Sequence, residues 1–407
     1  MPSISLSGWK STVIGQEGAW VPIVYNGDIS IINITPSIGI HKFDFISDKA
    51  YCSYIGNVNR SFFSRIVSFK FRFPIVEVLV CACYITENVK NLDVLKYVIN
   101  VKDFDANCET INTFEGLCTH EGDINYSIFI PPRTLLLNVT DTSYIKLIDV
   151  FDGTIETIDT GISIGFPGGF YTIRNGNVIV FLGSWQDGDY YRVLNLSNRS
   201  VENLGFTAIG AKPTMNAGVE IVFGSEIYYP LIPTYGPNKN SKITIIDKNF
   251  NKINDIDLQS ITGYTYNEAY SGFTVIGKLS NDNYASLIAI ANNTWDRATK
   301  LALYYLELDD NFNIVNKQLL HEFTDEEELN EINYYIRDKI ISLRPTCSEW
   351  TVKPIVDTYN KIVYLMYGGK AYDTEGNFID LYTRFIYVDI SDLDIVEWNQ
   401  ALWLINY

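Results

Sequence analysis

At 407 residues, with 47% hydrophobic and 19% charged side chains, the chain can bury a large core of its own. Its formal charge of −17 repels phosphate backbones and anionic membrane surfaces, and no Lys/Arg cluster offsets it, so nucleic acid is excluded as an expected partner. The longest strongly apolar stretch, Val78 to Ile85, falls far short of the roughly 20 residues of a membrane helix, and Met1 to Lys10 has no charged segment ahead of an apolar one, so neither membrane insertion nor a secretory leader is expected.

Along the chain one pattern returns seven times: two large apolar residues, one Asn, Asp or Glu, usually a further apolar residue, then a turn. It reads Ile31-Ile32-Asn33-Ile34, Val98-Ile99-Asn100-Val101, Leu147-Ile148-Asp149-Val150, Val193-Leu194-Asn195-Leu196, Ile245-Ile246-Asp247-Lys248, Tyr305-Leu306-Glu307-Leu308 and Tyr387-Val388-Asp389-Ile390. The polar members stand 46 to 82 residues apart, room for one four-stranded sheet per recurrence. Each signature fits the first arm of a hairpin, as where Tyr144 to Val150 alternates, Phe151-Asp152-Gly153 turns, and Thr154 to Thr160 alternates again. Ser197-Asn198-Arg199, Lys248-Asn249-Phe250-Asn251 and Asp309-Asp310-Asn311-Phe312-Asn313 are the corresponding turns. Asp309 and Asp310 lack the ligand spacing of a calcium loop and read as turn formers. A second strand pair precedes each hairpin, clearest at Phe170 to Arg174, Asn175-Gly176 and Asn177 to Trp185.

The expected organisation is a single domain over 1–407, with units at about 1–47, 48–114, 115–161, 162–206, 207–259, 260–323 and 324–407. The capping box Thr324-Asp325-Glu326-Glu327, with Leu329, Ile332 and Ile336 on one helical face, predicts a helix over 325–338 between the sixth and seventh units. The apolar tail Ala401 to Tyr407 is left over, and is expected to pair with strands of the first unit so that no sheet edge stays open.

Sevenfold recurrence of a small antiparallel sheet, filling the chain end to end, resembles the seven-bladed β-propeller superfamily. The resemblance implies an all-β fold with four-stranded antiparallel blades and the one inserted helix. No subfamily fits: Gly-Gly occurs only at Gly168-Gly169 and Gly368-Gly369, unlike kelch repeats, and the one Trp-Asp, Trp295-Asp296, precedes a signature strand instead of ending a blade. The Ile-, Asn- and Tyr-rich texture is similar to that of surface and virion proteins of crenarchaeal viruses.

No chemistry-bearing motif stands out. The three His, His41, His120 and His321, are scattered, and there is no Gly-X-Ser-X-Gly elbow, His-Glu-X-X-His helix, Gly-rich phosphate loop or sialidase-type Asp box. No catalytic residue, cofactor or metal is therefore expected; Cys118 and His120 alone are too few for zinc. Of the six Cys, five lie in the first third, and buried reduced thiols are the expectation. Seven Asn-X-Ser/Thr triplets occur, at Asn33, Asn59, Asn125, Asn138, Asn195, Asn198 and Asn292, as chance would largely supply in such a composition. Asn33 and Asn195 sit on signature strands, poor places for a glycan.

The resemblance directs attention to the loops joining second and third strands of each blade. These hold aromatics beside polar groups: Trp185, Asp187 and Asp189; Tyr235; Trp295, Asp296 and Arg297; Tyr372 and Asp373. A ring covers the apolar face of a sugar while a neighbouring carboxylate takes its hydroxyls, and the same pairing anchors protein contacts. The expected function is non-enzymatic recognition of a glycan or protein ligand, outside a cell or on a virion. Two alternatives remain: a scaffold inside a cell or virion, hence cytoplasmic, and a carbohydrate hydrolase or lyase whose funnel carboxylates act as acid and base.

Overall fold

The structure is a computed structural model. It describes residues 5–13, 19–25, 28–34, 37–44, 49–57, 61–72, 74–86, 89–100, 102–103, 105–117, 128–138, 142–164, 169–174, 177–184, 188–203, 220–231, 242–249, 251–263, 268–294, 297–323, 335–336, 339–340, 344–345, 355–372 and 378–402. Side chains are described mainly within 70–83, 89–117, 129–161, 194–202, 220–230, 242–263, 273–290, 302–322, 356–363 and 388–402.

Five sheets are four-stranded antiparallel meanders in which each strand pairs with the next along the chain: 19–57, 61–115, 128–164, 169–203 and 221–257. This is the blade of a β-propeller. Among the described residues five such blades are present where the recurrence predicts seven. Two further sheets depart from the four-strand plan. One runs Glu268–Leu279, Tyr284–Thr294, Arg297–Leu308 and Ile314–Phe323 in order, then gains Ile395–Trp398 beside its first strand. The other pairs Ser5–Val13 with Phe378–Asp389, which pairs with Ile362–Tyr372, against which lie the short strands Arg344–Pro345 and Ile355–Asp357. The chain's N-terminal strand thus completes a sheet built from its C-terminal third, and the first meander begins at residue 19 instead of residue 1.

By internal contacts the chain forms two compact units. The unit of 18–209 holds four of the meanders; in its core, Cys83, Leu92, Val94 and Phe114 of one sheet pack on Leu135 and Ile148 of the next. The unit of 1–17 and 210–404 holds the fifth meander and both larger sheets; there Ile243, Ile245 and Ile256 pack with Phe273, Tyr284 and Leu306. A strand sandwiched between two sheets buries both of its faces, so adjacent residues are apolar together instead of alternating. Leu147-Ile148, Ile245-Ile246 and Tyr305-Leu306 are pairs of this kind, each residue being nearly or fully buried. That is the physical origin of the recurring apolar pair.

The one α-helix among the described residues is α1, Leu258–Thr262. Asp257 caps its start by accepting from Gln259 N–H at 3.1 Å, Gly263 ends it at φ +74°, and Lys317 Nζ donates to the last-turn carbonyls of Ser260 and Ile261. The helix expected over 325–338 is not confirmed: Tyr335–Ile336 is extended and pairs with Lys339–Ile340, and the rest of that span lies outside the described residues. Aromatic and β-branched residues at its end suit a strand as well as a helical face. The tail also differs from expectation. Gln400–Leu402 is a 3-10 turn whose Ala401 packs on Val222, so this part joins the fifth meander and not the first; 403–407 lie outside the described residues.

Candidate functional site

In four of the meanders, where the third strand turns into the fourth, the signature's polar residue closes the turn on itself. Asn100 Oδ1 accepts from Lys102 and Asp103 N–H, Asp149 Oδ1 from Phe151 and Asp152, Asn195 Oδ1 from Ser197 and Asn198, and Asp247 Oδ1 from Asn249 and Asn251. Asp389 Oδ1 accepts from Ser391. An Asn or Asp side chain in this position mimics the backbone acceptor of a turn. In the sheet of 268–323 the role falls to Asp309, which accepts from Asn311 and Asn313 N–H at 2.9 and 2.8 Å, while Glu307 accepts from the Tyr305 hydroxyl. In the first meander the register equates Asp44, paired with Lys49, to Asn100, paired with Asp105; Asn33 lies one strand earlier.

Four carboxylates, Asp149, Asp159, Asp255 and Asp309, are held below the usual carboxylate range. A hydrogen bond from Arg133 is the main influence that keeps Asp149 below the usual carboxylate range, and Arg133 also bonds Asp152 at 2.7 Å and stacks over Phe151. Hydrogen bonding involving Ser143, then Gly161 N–H, lowers Asp159. Burial pushes Asp255 and Asp309 upward but is outweighed, by Lys252 and Thr244 in one case and by Asn313 and Asn311 in the other. A glycosidic general acid needs the opposite shift, so these four carboxylates serve the fold and are poorly suited to that task. The Tyr97, Tyr284 and Tyr305 phenols are all driven upward, first by burial. Among the described residues no three His, Cys, Asp or Glu cluster as metal ligands, and no helix is long and apolar enough to cross a membrane.

Near the turns of the unit of 1–17 and 210–404, rings stack in series. Phe223 lies 5.3 Å from Tyr284, Tyr284 lies 5.1 Å from Phe312, and Tyr228 meets Phe312 edge-on at 4.9 Å. Phe312 reaches this place because its backbone takes φ +59° in the turn, and Asn254 Nδ2 donates to its carbonyl. Lys278 lies 5.8 Å over the Tyr284 ring. Beside the stack the C-terminal segment is fastened by Asn399, whose side chain accepts from Val222 and Ala401 N–H and donates to the Glu220 and Val275 carbonyls. Nothing local in the sequence marks Asn399, since partners such as Glu220 and Val275 lie 179 and 124 residues away.

Three of the residues expected to bind ligand fall at the other ends of the strands. Asp189 pairs with Gly183, Arg297 with Thr294 and Tyr372 with Phe378, each at the mouth of the connection between the second and third strands of its sheet. Their side chains, with Trp185, Asp187, Tyr235, Trp295, Asp296 and Asp373, lie outside what the structure describes. The expectation of reduced thiols is corrected at Cys83, which is in a disulfide; Cys81 is buried and Cys108 is a free, exposed thiol.

No protein family and no curated protein matches the chain. Solved structures with a similar trace include the WD40 domain of SCAP from fission yeast, at 8% identity and TM-score 0.41, covering 98% of this chain and 98% of that one. The core factor of S. cerevisiae is similar at 10% identity and TM-score 0.45, over 95% of this chain and 62% of that one. An apocarotenoid oxygenase of Synechocystis is similar at 10% identity and TM-score 0.40, over 75% and 71%.

Proposed function

We propose that this propeller is a non-catalytic recognition protein, binding a glycan or protein ligand through the connections between second and third strands and displayed outside a cell or on a virion. The supporting observation is a contrast between the two ends of the sheets. At the turn ends, Asn100, Asp149, Asn195, Asp247, Asp309 and Asp389 spend their acceptors on their own turns. At the opposite ends, pairing stops at Ser184 with Gly188, Leu231 with Thr244, Thr294 with Arg297 and Tyr372 with Phe378, and the sequence there supplies Trp185, Asp187, Asp189, Tyr235, Trp295, Asp296, Arg297, Tyr372 and Asp373. Aromatic residues beside charged ones form hot spots for sugars and for protein partners.

We also read the two five-stranded sheets as blades, one with an added strand and one with a split first strand, which gives seven units of a single domain. The seven signatures, each in a different sheet, support that count. The Cys83 disulfide supports display in an oxidising place. Screening the protein on a glycan array and a panel of intact cells, beside the variants W185A, Y235A, R297A and Y372A, tests the proposal. Binding that falls in these variants at unchanged melting temperature is expected. Silence on both screens, or binding indifferent to all four substitutions, overturns it.

A further inference from the structure

The hairpin that ends the sheet of 169–203 carries the triplet Asn198-Arg199-Ser200 at its tip. Its chain reverses with Arg199 at φ +61° and Arg199 N–H bonded to the Asn195 carbonyl. Asn198 is exposed, its Oδ1 accepts from Ser200 N–H at 2.9 Å, and its Nδ2 makes no hydrogen bond. The turn therefore uses only the oxygen of that amide. The Arg199 guanidinium is engaged by Glu156, Nε lying 3.0 and 2.9 Å from the two carboxylate oxygens. The adjoining triplet Asn195-Leu196-Ser197 differs: Asn195 is half-buried, and its Oδ1 accepts from Ser197 N–H, Ser197 Oγ and Asn198 N–H.

A second observation concerns Ser200. Its Oγ is buried and has no hydrogen-bond partner. A hydroxyl enclosed without a partner is a cost to the fold, and such a group in a native structure asks for an explanation. We propose that Asn198 is an acceptor of N-linked glycan, and that the Ser200 hydroxyl is the part of the triplet read by the transferring enzyme before the hairpin closes. In the transfer, Asn198 Nδ2 attacks the anomeric carbon of a lipid-linked saccharide. The new C–N bond forms as the C–O bond to the lipid phosphate breaks, the phosphate leaves with the electron pair, and the amide proton passes to a base of the transferase. The product keeps Oδ1 free for Ser200 N–H, so the finished turn is unchanged, and the sugar projects from an exposed tip.

This inference rests on the reading of the chain as a protein displayed outside the cell. Peptide mapping of the full chain from its native source, with thiols alkylated before and after reduction, reads both at once. A glycopeptide at Asn198 is expected, together with Cys83 protected until reduction. In protein secreted from eukaryotic cells, N198Q and S200A should abolish the modification at this position, while S200T, which keeps a hydroxyl, should retain it. A bare Asn198 with Cys83 still oxidised overturns the glycan site and leaves the display reading standing. A bare Asn198 with every cysteine alkylated before reduction overturns both. A glycan that persists in S200A would also sink the proposal.

Discussion

Replacing Asn399 by Ala removes the fastening of the C-terminal segment to two sheets. Asn399 is fully buried, and the two N–H groups it accepts from belong to Val222 and Ala401, which are 4% and 1% exposed. Neither donor can reach water once the side chain is gone. A buried polar group left unmade costs about 1–3 kcal/mol, so the pair gives about 2–6 kcal/mol. That is a large share of the roughly 5–15 kcal/mol that ordinarily holds a domain together. The assay is denaturant unfolding followed by tryptophan fluorescence, in which the midpoint falls and the slope reports whether the same surface is exposed. Asn399→Asp separates hydrogen bonding from lost volume, because it keeps the acceptor and loses the donors to the Glu220 and Val275 carbonyls. A carboxylate enclosed beside two carbonyls has its folded-state pKa raised above the unfolded value of about 3.9. The folded state then binds the proton first, so the stability of this variant recovers as pH falls through the raised value. A loss below about 1 kcal/mol for Asn399→Ala, against the range expected for two orphaned donors, would refute the reasoning, as would a pH-independent Asn399→Asp.

Gly277 tests the same added strand from the other side. A Cβ there would lie 2.6 Å from the Glu397 carbonyl oxygen and 2.6 Å from Ile395 Cγ2, so Gly277→Ala should cost about 1–3 kcal/mol in a melting or urea experiment. In the sixth repeat, Asp309→Ala should lose about 1–2 kcal/mol, as two backbone donors lose their acceptor, and Glu307→Ala clearly less. Equal losses would reject Asp309 as the turn former. For Asp149, whose pKa is lowered first by Arg133, an NMR titration should show ionisation below the free-Asp range, and Arg133→Ala should raise it. Since the folded value is the lower one, this contribution to stability is present above the unfolded pKa and is lost as pH falls through the folded one.

Strand content was legible because a sheet packed on both faces must be apolar at adjacent positions, which is what Ile245-Ile246 and Leu147-Ile148 display. The exact repeat phase was less so. Glu307 stands two residues before Asp309, and a two-residue slip along a strand leaves every side chain on the same face, so periodicity could not choose between them. In the first meander the residues ahead of Asp44 are Lys42 and Phe43, too polar to match the apolar pair, and the pattern was found one strand early at Ile31-Ile32-Asn33. What joins distant parts of the chain left no local trace: Ser5–Val13 pairs with Phe378–Asp389, and the choice of that edge over another is made by tertiary packing. For α1 the signals were present, an Asp at the cap and a Gly after the last turn, but five residues are too few to show a helical period.

The recurrence that revealed the fold points away from the proposed site. A residue returns in each blade because each blade meets the same folding problem, and here that problem is a third strand that must turn sharply without leaving backbone donors unmade. Asn100, Asp149 and Asn195 solve it by accepting from N–H groups two and three residues on, and Asp247 and Asp309 from those two and four residues on. A ligand, by contrast, sees different chemistry from each blade, so binding residues have no reason to repeat. The proposed binding residues Trp185, Tyr235, Arg297 and Tyr372 share no spacing in the sequence; they could be proposed only from their place in or beside second-to-third connections. The same reasoning sets the expected outcome of exchanging turns between blades. Grafting 247–251 in place of 309–313 exchanges only Asp310 for Lys, since both turns read Asp-X-Asn-Phe-Asn, so the two Asx hydrogen bonds and the ring that stacks on Tyr284 should be kept and both melting temperature and ligand binding left nearly unchanged.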